Sequence, residues 1–219
     1  MFFQKLNHYK RRLRNKLGFY PYSLNFHDIT FLDIKKSNIL KEIYRTGNFE
    51  FETIKFLDYF EYDKFIDIGS NIGFFSFYVK KIKKWKVSAY EPYSKNCEYI
   101  RKIMKINRIK FDLFESAVSN INSKKKFYIP NLKSSSILSS SATLNYTENK
   151  KVYKNTPYLI SKVNTIAFKS VLQGIKLNEK TLIKVDIEGE EFKIFDSVKE
   201  NLGRLSNVDF IVEFNINIK

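Results

Sequence analysis

Apolar and polar positions follow three regimes along the chain. Residues 1–17 set Phe2, Phe3, Leu6, Tyr9, Leu13 and Leu17 near one helical face, with Lys and Arg between them. This predicts a basic amphipathic helix that packs on the domain or a partner, or lies on a membrane surface. Residues 20–34 read as loop or short strand. Ser37 is placed to cap a helix running to about Tyr44 that ends near Gly47, and Glu52 to Phe60 has the spacing of a second helix. From Lys64 onward the period changes. Lys64–Ile68 is a short buried strand, residues 69–73 a turn and Phe74–Lys81 a helix. Lys86–Tyr90 is a second strand, Ser94–Asn107 a helix with Cys97, Ile100, Ile103 and Met104 at helical spacing, and Phe111–Val118 a third strand. Strands alternating with helices predict an α/β fold, a mostly parallel central sheet with right-handed crossovers and helices on both faces.

Residues 119–170 break that alternation. Lys126–Ile129 and Val163–Phe168 read as strands, Ser134–Ser141 as a mobile Ser-rich loop, and Lys169–Gln173 as a short helix. The alternation resumes with a strand over Thr181–Val185, a helix over Glu190–Val198 and a strand over Asp209–Phe214. No internal repeat is visible. The chain therefore divides into a basic N-terminal helical extension, residues 1–45, and an α/β domain, residues 46–219, interrupted by the 119–170 insert.

Composition narrows the class. With 219 residues, 43% hydrophobic and 16% aromatic, the chain is a folded single domain. No apolar run approaches the ~18–20 residues of a membrane span, and residues 1–19 lack the apolar core of a secretory signal. The single cysteine, Cys97, has no partner for an internal disulfide, and with only His8 and His27 a Cys/His zinc site is not expected. A cytoplasmic location is the default, with peripheral membrane contact through residues 1–17 as an option.

The net charge is +16, which invites a nucleic-acid partner. Only seven of the 39 basic residues are arginine, the better reader of phosphates and bases, and a lysine-rich composition bias explains the total as well. The distribution says more. Residues 1–27 carry +6 and residues 119–170 carry +8, which leaves the rest of the chain at +2.

Three motifs carry candidate chemistry. The first is Asp67-Ile-Gly69-Ser-Asn71-Ile-Gly73, directly after a strand and opening a helix. Gly69 permits a tight turn and close approach of a ligand to the backbone, and Gly73 permits close packing at the helix start. The spacing differs from the G-x-G-x-x-G that cradles a pyrophosphate. It fits a cofactor without phosphates, and Asp67 suits a cationic part such as the amino group of S-adenosylmethionine (SAM). The second is Tyr90-Glu91-Pro92, where Glu91 at a strand end is suited to accept from ribose hydroxyls. The third is Lys184-Val-Asp186-Ile-Glu188-Gly189-Glu190-Glu191, again at a strand end. Asp186 is a candidate general base, Asp186 and Glu188 are candidate oxygen ligands for a divalent cation, and Glu190 reads equally as helix-start acidity.

In this order the motifs resemble the FkbM family of SAM-dependent methyltransferases, whose pattern runs roughly D-x-G-A-N-x-G, F-E-P with an Asn soon after, and K-x-D-V-E-G-x-E. Here the segments read DIGSNIG, YEPYSKN and KVDIEGEE. Phe49-Glu50-Phe51-Glu52-Thr53 is similar to the family's Y-E-x-x-T stretch, and Asn107 and Ala117-Val118 also match, so the resemblance spans about residues 45–215. It implies a Rossmann-like class I methyltransferase that binds SAM through Glu50, Thr53, Asp67, Gly69, Asn71, Gly73, Glu91, Asn96, Ser116 and Ala117. Glu50 and Thr53 would lie near the methionine end, and Lys184, Asp186 and Glu188 would do the chemistry, with or without a divalent metal at Asp186 and Glu188. The implied reaction is O-methylation of a sugar, polysaccharide precursor or similar small acceptor.

Two departures stand out. The family's T-x-D-x-L element reads Thr165-Ile-Ala-Phe168 here, without the Asp, and the sequence stops soon after the fifth core strand. The sheet edge is then expected either from the insert or not at all, and a degenerate, SAM-binding scaffold is one alternative. A nucleic-acid methyltransferase is another, but the segment after Ile183 has neither D/N-P-P-Y nor Pro-Cys. Lys124, Lys125, Lys126, Lys133, Lys150 and Lys151 of the insert are expected to attract an anionic acceptor, with Ser134–Ser141 as a lid.

Overall fold

The computed structural model describes residues 18–131, 142–202 and 205–213. The helix expected over residues 1–17, the Ser134–Ser141 lid, Lys133 and the side chain of Lys151 lie outside the described residues. The chain opens with a hairpin of β1 (Ser23–Phe26) and β2 (Ile29–Leu32). His27 and Asp28 between them both adopt positive φ, 48° and 59°, which gives a two-residue turn the twist that suits paired strands. Helix α1 (Asn38–Thr46) follows. The Ser37 hydroxyl accepts from the Leu40 amide at 3.3 Å, and Gly47 at φ 83° ends the helix, as the sequence predicts. Helix α2 (Phe51–Tyr59) leads into the α/β core.

The core runs β3 (Lys64–Ile68), α3 (Phe74–Tyr78) with a π-helical turn over Val79–Lys83, β4 (Lys86–Tyr90), α4 (Ser94–Asn107) and β5 (Asp112–Phe114). Next come β6 (Ala117–Ser119), β7 (Ser123–Pro130), α5 (Tyr146–Val152) and β8 (Tyr158–Ala167). The chain returns through α6 (Phe168–Gln173), β9 (Thr181–Val185), α7 (Glu191–Asp196), α8 (Lys199–Leu202) and β10 (Val208–Val212). The central sheet is five-stranded and parallel, in the order β10-β9-β3-β4-β5, flanked by helices as a Rossmann-like fold requires.

Burial on both faces explains why these strands read as continuous apolar runs. Phe65, Val87 and Leu182 join one cluster with residues of α1, α2, α3 and α4. Ile66, Ile68, Tyr90, Ile183 and Val185 join another with residues of α6 and α7. The N-terminal hairpin and α1 contribute Ile29, Phe31, Leu40 and Ile43 to the first of these clusters. Asn107 fastens the hairpin by accepting from the Thr30 amide at 2.7 Å and donating to its carbonyl at 2.9 Å. No described helix is long and apolar enough to cross a membrane.

The third strand differs from expectation. The stretch Phe111–Val118 is not one strand but two. β5 ends at Phe114, and β6 starts at Ala117 in a separate three-stranded sheet, β6-β8-β7. The break has a polar cause. The Ser116 amide bonds the carbonyls of Glu91 at 3.1 Å and Phe114 at 2.9 Å, which turns the chain out of the central sheet. The insert strands are also longer than their apolar residues suggest, because β7 and β8 pair antiparallel from Ser123↔Thr165 to Pro130↔Tyr158 through polar positions. Among the described residues the insert adds no strand to the central sheet edge.

The chain reverses direction across the sheet between β3 and β9, and there two backbones nearly touch. A Cβ on Gly69 (φ 82°) would sit 1.8 Å from the Asp186 carbonyl oxygen, whereas one on Gly47 (φ 83°) would meet nothing within 4 Å. The two glycines have the same backbone strain but differ in space. Gly47→Ala is expected to cost about 1–2 kcal/mol for the left-handed backbone. Gly69→Ala should cost at least ~1–3 kcal/mol more through overpacking. Urea unfolding of the two variants checks this, and equal losses would remove the close approach as a structural constraint.

Candidate functional site

The carboxyl ends of β3, β4 and β9 meet at this crossing, where open α/β sheets bind their ligands. The turn after β3 is shaped by three left-handed residues, Gly69, Asn71 (φ 54°) and Gly73 (φ 76°). The amides of Gly69 and Ser70 both donate to the Tyr90 carbonyl at 3.0 Å, so the turn is tied to the end of β4. A Cβ on Gly73 would press on Ile100 and Phe77 at 3.1 Å, so this glycine serves helix packing.

Glu91 is buried and held from three sides. One carboxylate oxygen accepts from the Asn71 amide at 2.8 Å, and the other accepts from the Tyr93 amide at 2.9 Å and the Asn96 side chain at 3.2 Å. Asn71, Glu91 and Asn96 thus form one cluster. An ionised carboxylate has about four acceptor positions, so Glu91 is fixed rigidly with room for about one further donor. Burial pushes it up to about 8, and its three hydrogen bonds pull the other way.

A second polar group lies by the crossing. Lys184 is 3% exposed, donates to Asp186 at 2.9 Å and lies over the Phe75 ring. Burial alone would lower it, but Asp186, Glu50 and Asp67 outweigh burial and hold it above the ordinary lysine value. Asp67 is buried inside β3 and accepts from the Ser76 hydroxyl at 2.6 Å, and burial raises it against the pull of Lys184. Glu50, at the head of α2, accepts from Thr53 at 3.2 Å and is raised by burial, with Asp186 and Glu213 adding to the effect. Glu213, just past β10, is raised first by the charge of Asp186 and then by burial. Glu50, Asp186 and Glu213 bring one carboxylate oxygen each within 4.8 Å of one another.

An open cleft runs along the strand ends. Gly69, Asn71, Tyr90, Glu91, Ala117 and Val118 line one part, and Asp186, Ile187, Glu188 and Glu190 another. The Tyr90 ring stacks on Phe114 at 4.7 Å beside Glu91. Phe127, Ala142 and Leu144 of the insert complete the wall. The insert is also bonded to the turn after β9. The Thr143 hydroxyl donates to the Glu188 carbonyl at 2.7 Å, and the Asn145 amide group to the Gly189 carbonyl at 2.9 Å. Glu188 at φ 50° and Gly189 at φ 92° are both left-handed there.

Of the residues singled out from the sequence, Gly69, Asn71, Glu91, Ala117, Asp186 and Glu188 line the cleft. Asn96 and Gly73 support it, Ser116 ties two strand ends, and Asp67, Lys184, Glu50 and Thr53 form the charged group beside it. Among the described residues Asp186 is brought together with Glu50 and Glu213, a cluster the sequence reading did not name. Glu213 was visible in principle, since the strand-end reasoning applied to Asp186 holds for the acid that follows Val212. Phe127, Ala142 and Leu144 carry no local signal, because an apolar wall residue and a core residue look alike in sequence.

The family model described as Methyltransferase FkbM domain matches residues 67–217, more than half of the chain. No curated protein and no solved structure matches it. The family match covers Gly69, Glu91 and Asp186, the three residues around which the cleft is built, and the chain belongs to the FkbM methyltransferase family.

Proposed function

We propose that the chain transfers a methyl group from SAM to a hydroxyl of a sugar, polysaccharide precursor or similar small acceptor. The observation that carries this reading is the sharing of one cleft by the Gly69–Glu91 end and by Asp186. Bound SAM supplies an electrophilic sulfonium methyl. The acceptor oxygen forms a bond to that methyl carbon, the carbon–sulfur bond breaks with its electron pair going to sulfur, and the hydroxyl proton is released. Much of the rate comes from holding the reacting atoms in line.

Glu91 serves the ribose, and the Asn71 and Tyr93 amides keep its carboxylate oriented before any ligand arrives. Gly69 lets the methionine part run close to backbone. Glu50 and Thr53 serve the cationic end of the cofactor, since the acids around Lys184 outnumber it. Asp186 accepts the hydroxyl proton, and Lys184 holds its carboxylate in place. Glu50, Asp186 and Glu213 offer oxygen donors only, the set a hard divalent cation takes. They would hold such an ion, although Lys184 already supplies one positive charge to Asp186.

Asp186→Asn keeps the shape and removes the base or ligand. Turnover should fall roughly 10²-fold or more, while SAM affinity measured by calorimetry stays nearly unchanged. Activity that survives EDTA assigns Asp186 as base, and activity lost and restored by Mg²⁺ assigns it as ligand. Wild-type turnover in the Asn variant would defeat both roles.

Glu91 yields a pH dependence. With the free group raised to about 8, a ribose hydroxyl that donates to the carboxylate must first displace a proton. SAM affinity should therefore rise with pH up to about 8 and level off above it. Glu91→Gln should lower affinity about tenfold or more, the worth of a charge-assisted hydrogen bond, and should flatten the rise. A folded Gln variant with unchanged affinity and the same profile would refute the ribose assignment.

A further inference from the structure

The insert sheet has two unlike faces. Phe127, Val163 and Thr165 form the buried row of β7 and β8, and Phe127 reaches the cleft wall. The alternate row is made of the cross-strand pairs Lys124↔Asn164, Lys126↔Lys162, Tyr128↔Ile160 and Pro130↔Tyr158. Lys124, Lys126 and Lys162 are exposed, and among the described residues none of them forms an ion pair with an acid. Lys125 differs, since it turns to the other side and bonds Ser119 at 2.7 Å and Asn120 at 3.2 Å. Lys124 and Lys126 therefore lie on the strand face opposite Phe127, which lines the cleft.

Like charges directly across a strand pair oppose pairing, so Lys126 facing Lys162 gives the fold nothing. The far end of the same row is apolar and aromatic. Ile160 is 61% exposed. Tyr146, 40% exposed, packs on Tyr128 at 4.8 Å and Tyr158 at 5.3 Å, and Lys150 lies over the Tyr158 ring. A soluble polyanion would use the lysines but not the exposed Ile160. A nucleic acid would be met better by arginine, and this row has none. A lipid surface uses all three features: lysines for anionic headgroups, tyrosines for the interfacial layer, and an aliphatic side chain for the acyl boundary.

We propose that the outer face of the β7–β8 ribbon docks the protein on an anionic membrane surface. Lys124, Lys126 and Lys162 supply the attraction, and Ile160, flanked by the tyrosine cluster, supplies the contact with lipid.

The test uses the full chain and sedimentation with vesicles of phosphatidylcholine alone or with a one-third share of phosphatidylglycerol. Binding is expected to the anionic vesicles only, and to weaken at ~0.5 M salt. Each lysine is worth roughly fivefold in partitioning, so Lys124→Glu, Lys126→Glu and Lys162→Glu combined should lower it about 100-fold or more. Ile160→Ser alone should lower it several-fold. Thermal unfolding of each variant should match wild type, because these side chains are exposed and, among the described residues, form no ion pair. Undiminished binding of the triple variant would assign any attachment to other parts of the chain and overturn the proposal. So would absence of binding to anionic vesicles, or binding that soluble polyphosphate abolishes and that Ile160→Ser leaves unchanged.

Discussion

Gly69 and Asp186 are 117 residues apart in sequence, yet the site depends on their backbones lying almost in contact. β3 and β9 pair in parallel, with Ile68 beside Val185. The next amide, that of Asp186, still bonds the Ile68 carbonyl at 3.0 Å before the two chains part. A side chain at residue 69 would force them apart one residue too early. Without one, the turn after β3 and the turn after β9 form opposite walls of a single cleft. Glu91 enters from the next strand over and is locked to the first turn through the Asn71 amide. The Gly69–Glu91 end and the Asp186 end of the cleft are thus positioned by one steric constraint.

The charges follow from that geometry. Lys184 and Asp67 are neighbours in register across β9 and β3, both inside the sheet. An isolated buried ammonium would be costly. It is tolerated because Asp186, Glu50 and Asp67 surround it. The acids exceed the lysine in number, so the group favours a further positive charge, or retained protons; the raised Glu213 carboxyl reflects that excess first, whereas Glu50 is raised first by burial. On the proposed function, a cationic methyl donor suits such a setting, and transfer of its methyl would remove the positive charge from sulfur.

The parts of this arrangement legible in the sequence are those built by short-range rules. A buried strand followed by glycine, an acid at a strand end, Ser37 before a helix and Gly47 after it each carry their own signal. The family resemblance links three such segments in order. The parts that were not legible depend on long-range pairing. Nothing in Phe111–Val118 announces that the strand breaks at Glu115, because the break is made by the Ser116 amide reaching Glu91. Nothing in Lys124–Lys126 says which lysines face the cleft until β8 fixes the register. Thr143 and Asn145 look like loop residues, yet they hold the turn that carries Glu188.

The central claim is that this crossing builds a cleft for SAM rather than for a dinucleotide. The most direct test is calorimetric titration of the unmodified chain with SAM, with its demethylated product and with NAD. The account predicts that the first two bind at one site per chain and that NAD gives no binding heat, since the turn lacks a pyrophosphate cradle. Binding of NAD, or no binding of either SAM or its product to the folded chain, would contradict it.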